Sequence, residues 1–157
     1  MTHRIFIHGL ESSNKGTKAV FFLDKYPDMI IPTFTGNLHE RMKKLNRILS
    51  GKSDIRIVGS SFGGLMASLF AMENSPQVKR MILLAPAINL IEFAPKRREK
   101  VSVPVCIYHG RDDNVIPLKE VDPIAKEIFT DLSFNIVDDD HLLHKTFKGL
   151  DWDSLLA

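Results

Sequence analysis

Short, nearly continuous apolar runs alternate along this chain with longer amphipathic stretches, and that alternation restricts its fold more than any other feature. RIFI (Arg4–Ile7), MIIPTF (Met29–Phe34), IRIV (Ile55–Val58), RMILL (Arg80–Leu84), PVCIY (Pro104–Tyr108) and SFNIV (Ser133–Val137) are bounded by Gly, Pro, Asp or Asn, which predicts strands. Apolarity without strict alternation is the pattern of a parallel strand covered on both faces. Helix candidates lie between them at Lys15–Lys25, Leu38–Leu49, Phe62–Asn74, Lys119–Phe129 and Leu143–Leu150. The third carries Leu65, Met66, Leu69, Phe70 and Met72 at helical spacing, an apolar face. Ala87–Ser102 holds only a short, weakly helical segment. Repeated strand–helix–strand units with right-handed crossovers build an α/β sandwich of three layers. About six mainly parallel strands, with helices on both faces, are expected.

A length of 157 residues predicts one domain, 1–157. With 44% hydrophobic and 25% charged residues, the chain has the composition of a globular protein rather than a disordered one. A net charge of +2 gives neither nucleic acid nor a membrane surface a reason to bind. The densest charge cluster, KRREK (Lys96–Lys100), reads as a solvated loop. The single cysteine, Cys106, sits in an apolar run and suits a reducing compartment. The first residues lack the apolar stretch of a signal peptide, and no run approaches the roughly 18 residues of a membrane span. These features together predict a soluble cytoplasmic domain.

The run IRIV leads directly into Gly59-Ser60-Ser61-Phe62-Gly63 and then into a helix. This fits G-x-S-x-G, in which a serine nucleophile occupies a sharp strand-to-helix turn and small residues flank it so that strand and helix can approach. Ser61 is the candidate nucleophile. The turn also aims the backbone N–H of Phe62 at an oxyanion. The plainer reading of Ser61 is a helix cap, and the strand before and helix after favour the nucleophile. After the first run comes His8-Gly9-Leu10-Glu11-Ser12-Ser13. The Leu10 N–H is the candidate second oxyanion donor, His8 a structural side chain bonded to this loop, and Ser12 or Ser13 a cap for the helix beginning near Lys15.

HGLESSNKGTKA together with GSSFGG resembles the α/β-hydrolase superfamily, and within it the small, lid-less bacterial esterases of the YqiA-like group. The resemblance covers nearly the whole chain, starting from the third strand of the full hydrolase fold. It implies a minimal version of that fold, without a cap domain. It also implies ester or thioester hydrolysis through a serine acyl-enzyme, without a cofactor. Members keep the order nucleophile, acid, histidine. His109-Gly110-Arg111-Asp112-Asp113-Asn114-Val115-Ile116-Pro117 resembles the family's G-x-x-D-x-x-V-P loop with Asp113 as the acid, and only motif register separates it from Asp112. His141, after the last predicted strand, is the general base that the resemblance implies, and His144 ranks below it. The run Asp138-Asp139-Asp140 is expected to favour the imidazolium form of His141.

No established metal-ligand spacing joins Asp138–Asp140, His141 and His144, so no metal is expected, and the resemblance implies no cofactor. Cys106, Met66, Met72 and Met81 read as core, and Trp152 as an anchor for the last residues. A small ester is the expected partner, and the short Ala87–Ser102 connection predicts an open pocket that favours short acyl chains. The alternatives are a non-catalytic binding protein on the same fold, or lyase, peptidase or perhydrolase chemistry with a similar triad.

Overall fold

The architecture comes from a computed structural model, which describes residues 1–93 and 99–157. Five strands, β1 (His3–Ile7), β2 (Ile55–Ser60), β3 (Val78–Leu84), β4 (Val105–Gly110) and β5 (Leu132–Val137), form one sheet in the order β1-β2-β3-β4-β5. Every neighbouring pair is parallel. The helices are α1 (Thr17–Lys25), α2 (Leu38–Leu49), α3 (Phe62–Asn74), α4 (Leu118–Ile128) and the single turn α5 (Trp152–Leu155). No helix among the described residues is long and apolar enough to cross a membrane.

Strand side chains alternate between faces, and the sheet divides its apolar residues accordingly. Ile5, Ile7, Ile55, Ile57, Met81, Leu83, Val105 and Ile107 pack beneath α2, α3 and α4. Phe6, Val58, Ile82, Leu84 and Cys106 pack against α1 and the segment from Leu143 to Leu156. This is the predicted α/β sandwich with both faces of a parallel sheet covered. Met66 and Met81 are fully buried, Met72 packs partly buried against the same core, and Cys106 is a buried free thiol. Trp152 is buried against Phe22, with ring centroids 4.8 Å apart, and its Nε1–H donates to the Phe147 carbonyl at 2.9 Å.

Two predicted elements are not as expected. Met29–Phe34 is not a sixth strand: only Ile30 bridges β1, through hydrogen bonds with Arg4 and Phe6. Pro32 has no N–H to extend a ladder, and the Phe34 N–H goes to the His8 ring instead. Leu143–Leu150 is not a continuous helix. Leu143 has φ +54°, outside the right-handed region, and the chain passes through turns and a 3₁₀ turn at Phe147–Gly149 before α5. Smaller shifts occur at element ends. Gly16 caps α1 without a side-chain bond, while the Ser13 hydroxyl takes the Lys15 N–H in the preceding turn. Within Ala87–Ser102, Ile88–Phe93 forms a 3₁₀ helix. Of the KRREK run, residues 96–98 lie outside the described residues.

Arg4, Arg56 and Arg80 stand in register on β1, β2 and β3. Each donates to a carbonyl of the last residues: Arg4 to Leu156 at 3.1 Å, Arg56 to Ala157 at 2.9 Å and Arg80 to Ser154 at 3.4 Å. This arginine row seats α5 on the starting ends of the strands, opposite the candidate site.

Candidate active site

In a parallel sheet all strands end at one edge, so the loops after β1, β2, β4 and β5 are brought together there. Ser61 is the entire connection between β2 and α3. Its backbone sits at φ 55°, ψ −116°, a region that costs a non-glycine residue about 1–3 kcal/mol. Three hydrogen bonds of 2.9 Å hold it there: its N–H donates to Leu84, and its carbonyl accepts from Gly64 and Ala87. The turn is tight because strand and helix nearly touch. A Cβ on Gly59 would lie 2.5 Å from the Gly63 carbonyl oxygen, and one on Gly63 would lie 2.6 Å from the Ile7 carbonyl carbon.

Phe62 opens α3, so its N–H has no intrahelical acceptor. Its ring lies beneath the buried Arg41 guanidinium, 5.6 Å from the ring centroid, and Arg41 Nε donates to Gly36 at 2.8 Å. The loop after β1 runs against the serine: a Cβ on Gly9 would stand 3.2 Å from Ser61 Cβ and 3.7 Å from its Oγ. Leu10 follows at an exposed position. His8 anchors this loop. The Phe34 N–H donates to His8 Nε2 at 2.8 Å, so Nδ1 carries the proton and donates to the Gly9 carbonyl at 2.6 Å. Burial lowers the His8 pKa, against the opposing pull of the Gly9 hydrogen bond, which fits this neutral, structural ring.

Asp113 is brought to His141, and Asp112 is not. The Asp113 side chain has no exposed surface. Its Oδ1 accepts from the N–H groups of Val115 at 2.9 Å and Ile116 at 2.7 Å, and its Oδ2 accepts from His141 Nδ1–H at 2.8 Å. Asp112 is exposed, with its backbone N–H on the Asp139 carbonyl at 3.1 Å. With Nδ1 donating, His141 Nε2 is left as a proton acceptor. Ser61 and His141 are not hydrogen-bonded to one another among the described residues, and both stand at the same sheet edge. His144 pairs instead with Asp140 at 2.9 Å, exposed to solvent.

Among the described residues, no carboxylate of the Asp138–Asp140 run is hydrogen-bonded to His141. Asp138 is exposed, 4.0 Å from Arg111, and Asp140 holds His144. Asp139 turns inward. Burial alone would raise its pKa, but the N–H groups of Asp140, Lys145 and Thr146, at 2.8, 2.9 and 2.8 Å, outweigh that and hold it below the usual carboxylate range. Asp139 thus ties together the loop carrying His141. Lys18 of α1 helps, donating to the Leu142 carbonyl at 2.8 Å. No three His, Cys, Asp or Glu side chains among the described residues are grouped to hold a metal ion.

The sequence reading missed Asp139, Lys18 and His109. The only signal for His109 was a polar residue near the end of an otherwise apolar strand, next to the acid loop. It is fully buried, with Nε2 2.9 Å from the Ile116 carbonyl and 3.3 Å from Asp113 Oδ2.

A parallel sheet with a strained serine at a strand-to-helix turn and an Asp–His pair on the same edge is the architecture of the α/β-hydrolase superfamily. Residues 23–136, well over half of the chain, match the profile of the dienelactone hydrolase family, and the chain belongs to that family. The match includes Ser61 and Asp113 and ends before His141. No curated protein matches the chain.

Solved structures share the fold at low identity. Alpha/beta hydrolase domain-containing protein 10 from mouse is 18% identical, covers 92% of this chain and 84% of its own, and superposes with TM-score 0.77. An esterase from Exiguobacterium antarcticum is 12% identical, with 99% and 90% coverage and TM-score 0.77. Est1E from Butyrivibrio proteoclasticus, solved with ferulic acid bound, is 17% identical, with 95% and 85% coverage and TM-score 0.75.

Proposed function

We propose that this protein is a serine hydrolase, a carboxylesterase or thioesterase cleaving small short-acyl esters through Ser61, His141 and Asp113. The observation that carries the reading is Ser61 itself, a non-glycine residue locked at φ 55° on the same sheet edge as the Asp113–His141 pair. Ser61 Oγ attacks the ester carbonyl carbon while its proton passes to His141 Nε2. Asp113 accepts the Nδ1–H, sets the tautomer and stabilises the imidazolium. The N–H groups of Phe62 and Leu10 receive the oxyanion. The imidazolium then protonates the departing alkoxide or thiolate, and water hydrolyses the acyl-enzyme by the same route.

Leu10, Val115 and Leu142 on loops, and Leu90 on the Ile88–Phe93 3₁₀ helix, are exposed at this edge and offer an apolar border for a short acyl or alcohol group. The buried free Cys106 suits a reducing, cytoplasmic setting.

The test is hydrolysis of p-nitrophenyl acetate and butyrate by the purified protein beside Ser61→Ala. The wild type is expected to turn over, with acetyl and butyryl esters faster than long-chain esters. The variant is expected to lose about 10³- to 10⁶-fold in kcat. A wild type that is folded, no faster than Ser61→Ala and unlabelled by a fluorophosphonate would leave the binding-protein alternative.

A further inference from the structure

His109, the penultimate residue of β4, has no surface exposed and no part in the reaction proposed above. Its Nε2 faces two oxygens, the Ile116 carbonyl at 2.9 Å and Asp113 Oδ2 at 3.3 Å. A carbonyl can only accept, so Nε2 carries the proton. Burial lowers the His109 pKa, against the Ile116 hydrogen bond and the Asp113 charge that raise it. The ring is therefore neutral, and Nδ1 is a bare lone pair, buried without a hydrogen-bond partner among the described residues. An apolar side chain would avoid that cost. What the imidazole supplies in exchange is one N–H, aimed between Asp113 and the residue that holds it.

The surroundings of Asp113 show why that N–H matters. Oδ1 is fixed by the N–H groups of Val115 and Ile116, and Oδ2 receives His141. Ile116 is held on both sides: its carbonyl accepts from His109, and its N–H donates to Oδ1. We propose that His109 is a positioning residue: its Nε2–H, shared by the Ile116 carbonyl and Asp113 Oδ2, fixes the carboxylate so that His141 presents Nε2 to Ser61. His109 touches no reacting atom. It acts through Asp113, and its contribution to the rate rests on the serine-hydrolase reading.

The test pairs His109→Leu, which removes the donor, with His109→Gln, whose side-chain amide N–H reaches about as far as Nε2. Two readouts are taken. One is kcat and KM for p-nitrophenyl butyrate. The other is the low-field proton resonance of His141 Nδ1–H, which does not depend on Ser61. For His109→Leu, kcat is expected to fall about 10- to 100-fold, the scale of a misplacement near 1 Å, with KM little changed and the resonance shifted or lost. His109→Gln is expected to recover most of both.

Wild-type kcat and an unmoved resonance in His109→Leu would overturn the proposal. So would equal losses in two folded variants. If neither esterase activity nor Ser61 labelling is found and the resonance still moves in His109→Leu and returns in His109→Gln, the positioning role stands and the serine-hydrolase reading fails. Should His109→Leu not fold, the wild-type ring decides by its ¹⁵N shifts. A proton on Nδ1 overturns the proposal, and a bare Nδ1 with a protonated Nε2 supports it.

Discussion

Asp112 and Asp113 are neighbours of identical chemistry, and only their surroundings distinguish them. Asp113 is enclosed and faces the N–H groups of Val115, Ile116 and His141, whereas Asp112 lies in solvent. Replacing Asp113 with Asn should leave the His141 ring in the wrong tautomer and lower kcat by about 10⁴-fold. Asp112→Asn should stay within a few-fold of wild type, and p-nitrophenyl butyrate kinetics on both variants separates the two positions. Equal losses would remove Asp113 from its assigned role. Asp139 shows a different use of a carboxylate. It accepts three backbone N–H groups, and hydrogen bonds to a charged group are worth about 1.5–3 kcal/mol each. Asp139→Ala should therefore lower Tm measurably and reduce kcat by loosening the His141 loop, although the residue never meets the substrate.

Among the elements, the turn from β2 to α3 is the most tightly determined. A methyl group on Gly63 has nowhere to go but the Ile7 and His8 carbonyls, so Gly63→Ala should destabilise the fold by about 1–3 kcal/mol, read by denaturant unfolding. The short helix α5 is held by Trp152, and Trp152→Ala should cost about 3–5 kcal/mol. That turn was legible in the sequence because its chemistry is local: apolar strand, small-x-Ser-x-small, apolar helix. The same holds for all five strands and for α2 and α3, whose periodicity lies within each segment. Met29–Phe34 was misread because its apolar content belongs to packing: Met29 fills the core beside α1 while Pro32 blocks pairing. Leu143–Leu150 was misread because Leu143 and Phe147, spaced as on a helix, are buried from a chain that turns through a positive φ. Within the candidate site, chain order indicated Ser61, Asp113 and His141. The roles of His109, Asp139 and Lys18 depend on contacts between loops that no local pattern encodes.

For the molecule as a whole, His8 and His109 couple stability to pH. Burial lowers both pKa values in the folded state, while an unfolded histidine titrates near ~6.5. Below that pH the unfolded chain binds protons that the native one refuses, so stability is lost as pH falls through about 6.5 toward the lowered values. Thermal melts from pH 7.5 to 5 should show a falling Tm. A flat profile would contradict the neutral assignments of both rings.

The strand order has a further consequence for how the molecule is made. Because β1 to β5 lie side by side in the order of synthesis, the sheet can grow from one edge as the chain leaves the ribosome. Each new strand finds its partner already waiting. Ser61 would be set early, beside strands already paired, and Asp113 and His141 would follow on the last two. On the proposed triad, chemistry would begin only when the final edge is laid down. β5, the last strand to join and the least enclosed, is also the natural first to leave, so heat should silence the enzyme before it melts the protein.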